Sequence, residues 1–111
     1  AASIGFYMQK RLREFLDHPL VGEVRGKGMI AAVELVANKT TGKAFTGSIV
    51  GDFAMQSCQR LGMITRAMAG SSLAFCPPLI VTEKQIDEMI DILANALDET
   101  LGFAHNKGLL Q

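Results

Sequence analysis

A long amphipathic segment near the end of the sequence constrains the fold most strongly. Residues 82–85 read T-E-K-Q, the spacing of a capping box. In this motif the Thr82 hydroxyl accepts a hydrogen bond from the Gln85 amide, and the Gln85 side chain accepts one from the Thr82 amide. The apolar residues that follow lie on one helical face: Ile86, Met89, Ile90, Leu93, Leu97 and Leu101. We predict a helix that ends at Gly102 and packs on a sheet.

The first half of the sequence contains three further predicted segments. Apolar residues at helical spacing predict a first helix from Ile4 to Leu16, which Pro19 ends. Residues 21–36 are rich in β-branched side chains and are predicted to form one strand, entered through a kinked glycine segment. Residues 38–47 contain glycine, threonine and lysine and are predicted to form a surface loop.

The second half predicts one more helix and two short strands. The helix runs from Val50 to Leu61, with Gly62 as its C-terminal cap. The strands lie at 63–66 and 73–76 and are joined by a hairpin-like connection at 69–71. The resulting order of helices and strands predicts that residues 1–111 form a single α+β domain with two layers, in which a small, mainly antiparallel sheet carries helices on one face.

Composition excludes several classes of function. The 111 residues include equal numbers of acidic residues and of lysines plus arginines, so the formal net charge is zero. A chain without excess positive charge has no general attraction to nucleic acid or to an anionic membrane. We expect neither a signal peptide nor a membrane span, and we predict that Cys58 and Cys76 are reduced core thiols of a cytoplasmic protein.

Common catalytic motifs are absent from the sequence. It contains neither a nucleophile elbow nor a phosphate-binding P-loop. Gly22, Gly26 and Gly28 have the wrong spacing for a dinucleotide site and precede a predicted strand instead of a helix. His18 and His105 are interpreted as solvated residues at helix ends, and no metal site is expected.

Three spaced segments carry a resemblance to a known family. They read V-R-G-K-G-M-I-A-A-V-E-L at 24–35, G-M-I-T-R-A at 62–67, and A-F-C-P-P-L-I-V-T-E-K-Q-I-D-E-M at 74–89. In this order and separation they resemble the C-terminal part of class III aminotransferases, which are pyridoxal phosphate enzymes of fold type I. The resemblance implies that the chain is the small C-terminal domain of a longer polypeptide. It also implies that the absent large domain binds most of the cofactor and that the enzyme pairs with a homodimer mate.

Arg66 is the only charged residue between positions 64 and 79. Ornithine-type members of the family place a carboxylate-binding arginine at the position of Ala74, so that arginine is missing here. Arg66 instead resembles the mobile arginine of the ω-transaminases, and the resemblance implies that it binds substrate. A planar guanidinium can form two parallel hydrogen bonds to a carboxylate. The competing interpretation is a strand-end arginine paired with a surface carboxylate.

The implied reaction transfers an amino group from an amine or ω-amino acid to a keto acid such as pyruvate. Two alternatives stay open: an aminomutase of the same family, and a stand-alone α+β binding module without catalysis. The six lysines lie in polar contexts, so none is expected to bind the cofactor covalently: Lys10, Lys27, Lys39, Lys43, Lys84 and Lys107. We therefore expect no catalytic or cofactor-binding residue in this chain, and no activity from it alone. Arg25 is interpreted as part of a buried or domain-interface ion pair.

Overall fold

The computed structural model describes residues 2–62, 66–67, 72–75 and 82–111. Within these ranges the chain forms three α-helices and five strands. In chain order they are α1 (Ala2–Arg13), β1 (Val21–Lys27), β2 (Ile30–Asn38), β3 (Lys43–Ala44), α2 (Ile49–Arg60), β4 (Arg66–Ala67), β5 (Ser72–Phe75) and α3 (Glu83–Asn106). The predicted strand residues 63–65 and 76 and the connection at 69–71 lie outside the described residues.

The sheet has the strand order β1-β2-β5-β4, and β3 pairs with the C-terminal end of β2. All of these pairings are antiparallel. Val24, Val33 and Leu73 lie opposite one another on three neighbouring strands and belong to the same core as the buried faces of the helices. The predicted fold class is therefore confirmed: a small antiparallel sheet with helices on one face.

The predicted single strand at 21–36 is wrong, because this segment is a β-hairpin. β1 and β2 pair from Val21 opposite Leu35 to Lys27 opposite Ile30. Gly28, the first of the two turn residues, has a φ of +62°. A positive φ at this position is characteristic of a type II′ turn, whose twist matches that of paired strands. The glycine therefore reverses the chain instead of kinking it.

The helix ends follow the predictions in part. The predicted capping box is confirmed, with 3.2 Å from the Gln85 amide to the Thr82 hydroxyl and 2.9 Å from the Thr82 amide to Gln85 Oε1. However, α3 continues past Gly102 to Asn106. It ends in a Schellman motif, in which the Leu109 amide donates to the Ala104 carbonyl and Gly108 has a φ of +68°.

The first helix is shorter than predicted and is fixed to the start of α3. It ends at Arg13 and is followed by a 3-10 turn over Glu14–Asp17. Tyr7 and Arg11 of α1 both donate hydrogen bonds to the Asp87 carboxylate, which joins the two helices. In the described part of the chain, no helix is both long enough and apolar enough to cross a membrane.

Candidate functional site

The position of Arg66 in the sheet follows from the pairing of β4 with β5. Arg66 lies opposite Ala74, and Ala67 lies opposite Leu73. Leu73 is fully buried in the core beneath the helices. Successive residues of a strand alternate between faces, and directly opposite residues share a face. Position 66 therefore belongs to the sheet face that does not carry the helices.

The same register continues across the whole sheet. Ala74 lies opposite Ala32 of β2, and Ala32 lies opposite Arg25 of β1. Arg66, Ala74, Ala32 and Arg25 thus form one row across four strands, which we call the arginine row. Adjacent strands are about 4.8 Å apart, so the row is about 14 Å long. Because its two central members are alanines, the row itself contributes only methyl side chains between the two arginine positions.

Arg25 is already paired with two carboxylates. Its Nη1 lies 2.6 Å from Glu34 Oε2 and 3.1 Å from Glu23 Oε2. The hydrogen bond to Glu34, and then the one to Glu23, raise the pKa of Arg25, so it stays charged. The predicted ion pair is present and joins β1 to β2. The buried alternative is wrong for this chain, since 45% of the Arg25 side chain is exposed, and the domain-interface alternative stays a prediction.

The other candidate side chains have structural roles. Cys58 is buried, and burial raises the pKa of its thiol to about 11. The interpretation of His18 as a solvated residue is wrong, because only 13% of its side chain is exposed. Its Nδ1 accepts a hydrogen bond from the Leu20 amide at 3.1 Å, and its Nε2 lies 3.0 Å from Asp98 Oδ1. His105 is exposed near the end of α3, as expected.

Comparison with known proteins assigns the chain to a family. A sequence model described as Aminotransferase class-III matches residues 1–97. The chain belongs to the class III aminotransferase family. A curated relative from this family is the putrescine–pyruvate aminotransferase of Pseudomonas aeruginosa, which is 49% identical over 94 residues. Diaminobutyrate–2-oxoglutarate transaminase of Halomonas elongata is 35% identical over 114 aligned residues.

Solved structures of family members have the same fold. The ω-transaminase of Pseudomonas jessenii in complex with PMP matches with a TM-score of 0.86 and 44% identity. The match covers 93% of this chain and 23% of that structure. Likewise, the alignments with the two curated relatives cover 85% and 100% of this chain but only 20% and 24% of the relatives. The chain therefore spans about a fifth to a quarter of the class III aminotransferases that it matches.

The described residues of this chain do not provide the lysine that binds the family's pyridoxal phosphate cofactor covalently. All six lysines of the sequence are exposed. The Lys39 ammonium donates to the carbonyls of Leu16, His18 and Val21, so it is occupied by backbone groups. A lysine that forms a Schiff base needs a lowered pKa, which desolvation or a neighbouring cation provides. None of the six has such surroundings among the described residues.

The sequence identified Arg66 and Arg25 but missed their relationship. Treating 21–36 as one strand concealed the pairing of Arg25 with Glu34, and it also concealed the position of Ala32 in the arginine row. The available signal was Gly28 within R-G-K-G-M-I, flanked by residues of strand type. The pairing of β2 with β5, in contrast, brings together residues about forty positions apart in the sequence and has no local signal.

Proposed function

We propose that this chain is the small C-terminal domain of a pyridoxal phosphate-dependent class III aminotransferase, and that Arg66 binds the carboxylate of the amino-group acceptor. The intact enzyme transfers an amino group from an amine or ω-amino acid to a keto acid such as pyruvate. The observation that carries the proposal is the position of Arg66 in the row Arg66–Ala74–Ala32–Arg25, on the sheet face without helices. A similar protein, 49% identical, is a putrescine–pyruvate aminotransferase.

The proposed role of Arg66 is also supported by its register relative to the position of the ornithine-type arginine. In ornithine-type members the arginine occupies the position of Ala74, which is the direct cross-strand neighbour of Arg66. Side chains at directly opposite positions start about 5 Å apart. Moving the arginine from 74 to 66 shifts its attachment by one strand and keeps it on the same face. This supports an equivalent role in carboxylate binding.

The small residues in the row next to Arg66 are compatible with its proposed role in binding the acceptor carboxylate. Ala74 and Ala32, the next two members of the arginine row, carry only methyl side chains, which occupy little volume beside a substrate carbon chain. A guanidinium that loses its carboxylate partner in a closed site carries a large desolvation cost. If the Arg66 guanidinium moves away when no carboxylate is bound, the same site accepts both a keto acid and an apolar amine.

The rest of the site comes from outside this chain. The large domain of the same polypeptide binds most of the cofactor, and a homodimer mate completes the enzyme in the cytoplasm. Pyridoxal phosphate, when bound there, carries the amino group between donor and acceptor. This domain contributes the acceptor-binding cation and has no activity by itself.

Replacing Arg66 with alanine in the intact enzyme tests the proposal. Hydrogen bonds to charged groups contribute about 1.5–3 kcal/mol, so we expect the KM for pyruvate to rise about 10- to 100-fold. The KM for an apolar amine donor changes little. Arg60→Ala is the matched control, since Arg60 pairs with Glu99 on the helices, away from this face. Equal effects of Arg66→Ala on both substrates would rule out carboxylate binding by Arg66.

A further inference from the structure

We propose that Arg25 is a positioning residue that holds Glu34 and thereby prevents this carboxylate from competing with the keto acid for Arg66. The inference rests on the proposed function and gives Arg25 a role in acceptor recognition. It is based on the arginine row and on the contacts of Arg25 with Glu23 and Glu34.

Glu34 lies on the same sheet face as Arg66. It follows Ala32 by two residues on β2 and lies opposite Ser72 of β5. Two strand spacings across the sheet and two residues along it place the Cα atoms of Glu34 and Arg66 about 12 Å apart. Among the described residues, the other carboxylate on this face belongs to Glu23, which is one strand farther from Arg66.

An unpaired carboxylate at this distance would weaken acceptor binding in two ways. It would attract the Arg66 guanidinium, and it would repel the carboxylate of the keto acid. With an effective dielectric constant of about 20, one charge at a distance equal to this Cα separation of about 12 Å changes a binding constant about tenfold. Dissolved salt screens charges only weakly in a site that another domain covers, so it does not substitute for Arg25 as the partner of Glu34.

Arg25 offsets the charge of Glu34, because the three groups Glu23, Arg25 and Glu34 sum to one negative charge with Arg25 present and to two without it. Its Nη1 contacts Glu34 Oε2 at 2.6 Å, so the two opposite charges act on Arg66 as a short dipole, whose field decreases faster with distance than that of a single charge. Glu23 contacts the same nitrogen at 3.1 Å on the outer strand and fixes the guanidinium from the other side. The ion pairs of Arg25 with Glu23 and Glu34 are partly exposed, and such pairs contribute little to the free energy of unfolding. Their position on the same sheet face as Arg66 is therefore the evidence for a role in acceptor binding.

A double-mutant cycle in the intact enzyme tests the proposal. We expect Arg25→Met to raise the KM for pyruvate about three- to tenfold and to leave the KM for an apolar amine unchanged, because only the acceptor carries a carboxylate. Adding Glu34→Gln removes the released charge, so R25M/E34Q returns the pyruvate KM to within about twofold of the parent enzyme. Arg25→Lys keeps a cation beside Glu34 and retains most of the affinity. Arg60→Met removes an ion-paired arginine from the helical layer and controls for loss of charge elsewhere.

A purely structural role gives a different pattern. If Arg25 only stabilises the hairpin, R25M/E34Q is no better than R25M, or both KM values rise together, and either result overturns the inference. The Arg66→Ala variant separates this failure from failure of the proposed function. A selective effect of Arg66→Ala on pyruvate, without rescue in R25M/E34Q, disproves only the role of Arg25. Absence of that selective effect disproves the proposed function itself.

Discussion

Cys58 shows how burial changes the chemistry of a single side chain in this domain. It lies on the inner face of α2 and is completely buried in the core. Desolvation, and to a smaller extent the charge of Glu99, raise the pKa of its thiol from 9.0 to about 11. The thiolate is the reactive form of cysteine, so this residue is chemically inert near neutral pH.

We predict that Cys58 reacts slowly with iodoacetamide in the folded intact enzyme at pH 8. A pKa raised from 9.0 to about 11 reduces the thiolate fraction about 100-fold, in addition to steric protection by the core. Timed labelling with peptide-resolved mass spectrometry, in native buffer and in guanidinium chloride, measures both rates. Similar rates in the two conditions would contradict the buried position.

The same pKa shift predicts a dependence of stability on pH. The folded state holds the thiol proton more tightly than the unfolded state, so the stabilising contribution is complete below pH 9 and is lost as the pH rises from 9 to about 11. The rate of Cys58 labelling should therefore increase across this interval. A rate that is independent of pH between 9 and 11 would contradict the shift.

At the scale of elements, the β1–β2 hairpin depends on two glycines with different constraints. Gly26 has a φ of +145°, and a Cβ atom there would lie 2.3 Å from the Ile30 carbonyl oxygen. Gly28 has a φ of +62°, and a Cβ atom there would meet nothing within 4 Å. A larger residue at position 26 would therefore have both a strained φ and a clash with the backbone, whereas at position 28 it would have only the strained φ.

We predict that Gly28→Ala destabilises the hairpin by about 1 kcal/mol and that Gly26→Ala has a much larger effect. Hydrogen exchange of the amides at 21–38 in the intact enzyme measures local opening of β1 and β2. Gly102→Ala is the control, since Gly102 lies in a helix with open space around it. Equal protection in the Gly26 and Gly28 variants would contradict the predicted clash.

Local sequence signals predicted some elements correctly and failed for others. The capping box at Thr82 was predictable because both partners lie within four residues and the motif is specific. The end of α3 was not, because Gly102 is tolerated inside a helix whose buried residues Thr100 and Ala104 continue the packing. The sequence does not identify the hairpin turn at Gly28, because a glycine within a segment rich in β-branched residues fits both a kink and a reversal.

At the scale of the whole molecule, the arginine row is created by topology. Family resemblance identifies Arg66, but its alignment in one row with Ala74, Ala32 and Arg25 depends on β2 pairing with both β1 and β5. The charges of the chain sum to zero, yet the row separates an ion-paired arginine at one edge of the sheet from the proposed substrate-binding arginine at the other. The helices cover the opposite face, so this face is the one that we expect the large domain to close.

The most direct test of carboxylate binding by Arg66 compares two acceptors that differ by that group. The ratio of kcat/KM for pyruvate to kcat/KM for propanal, which lacks a carboxylate, is measured in the intact enzyme and in its Arg66→Ala variant. We predict that the substitution lowers this ratio about 10- to 100-fold, since only pyruvate loses a charged hydrogen-bond partner. An unchanged ratio would contradict the account.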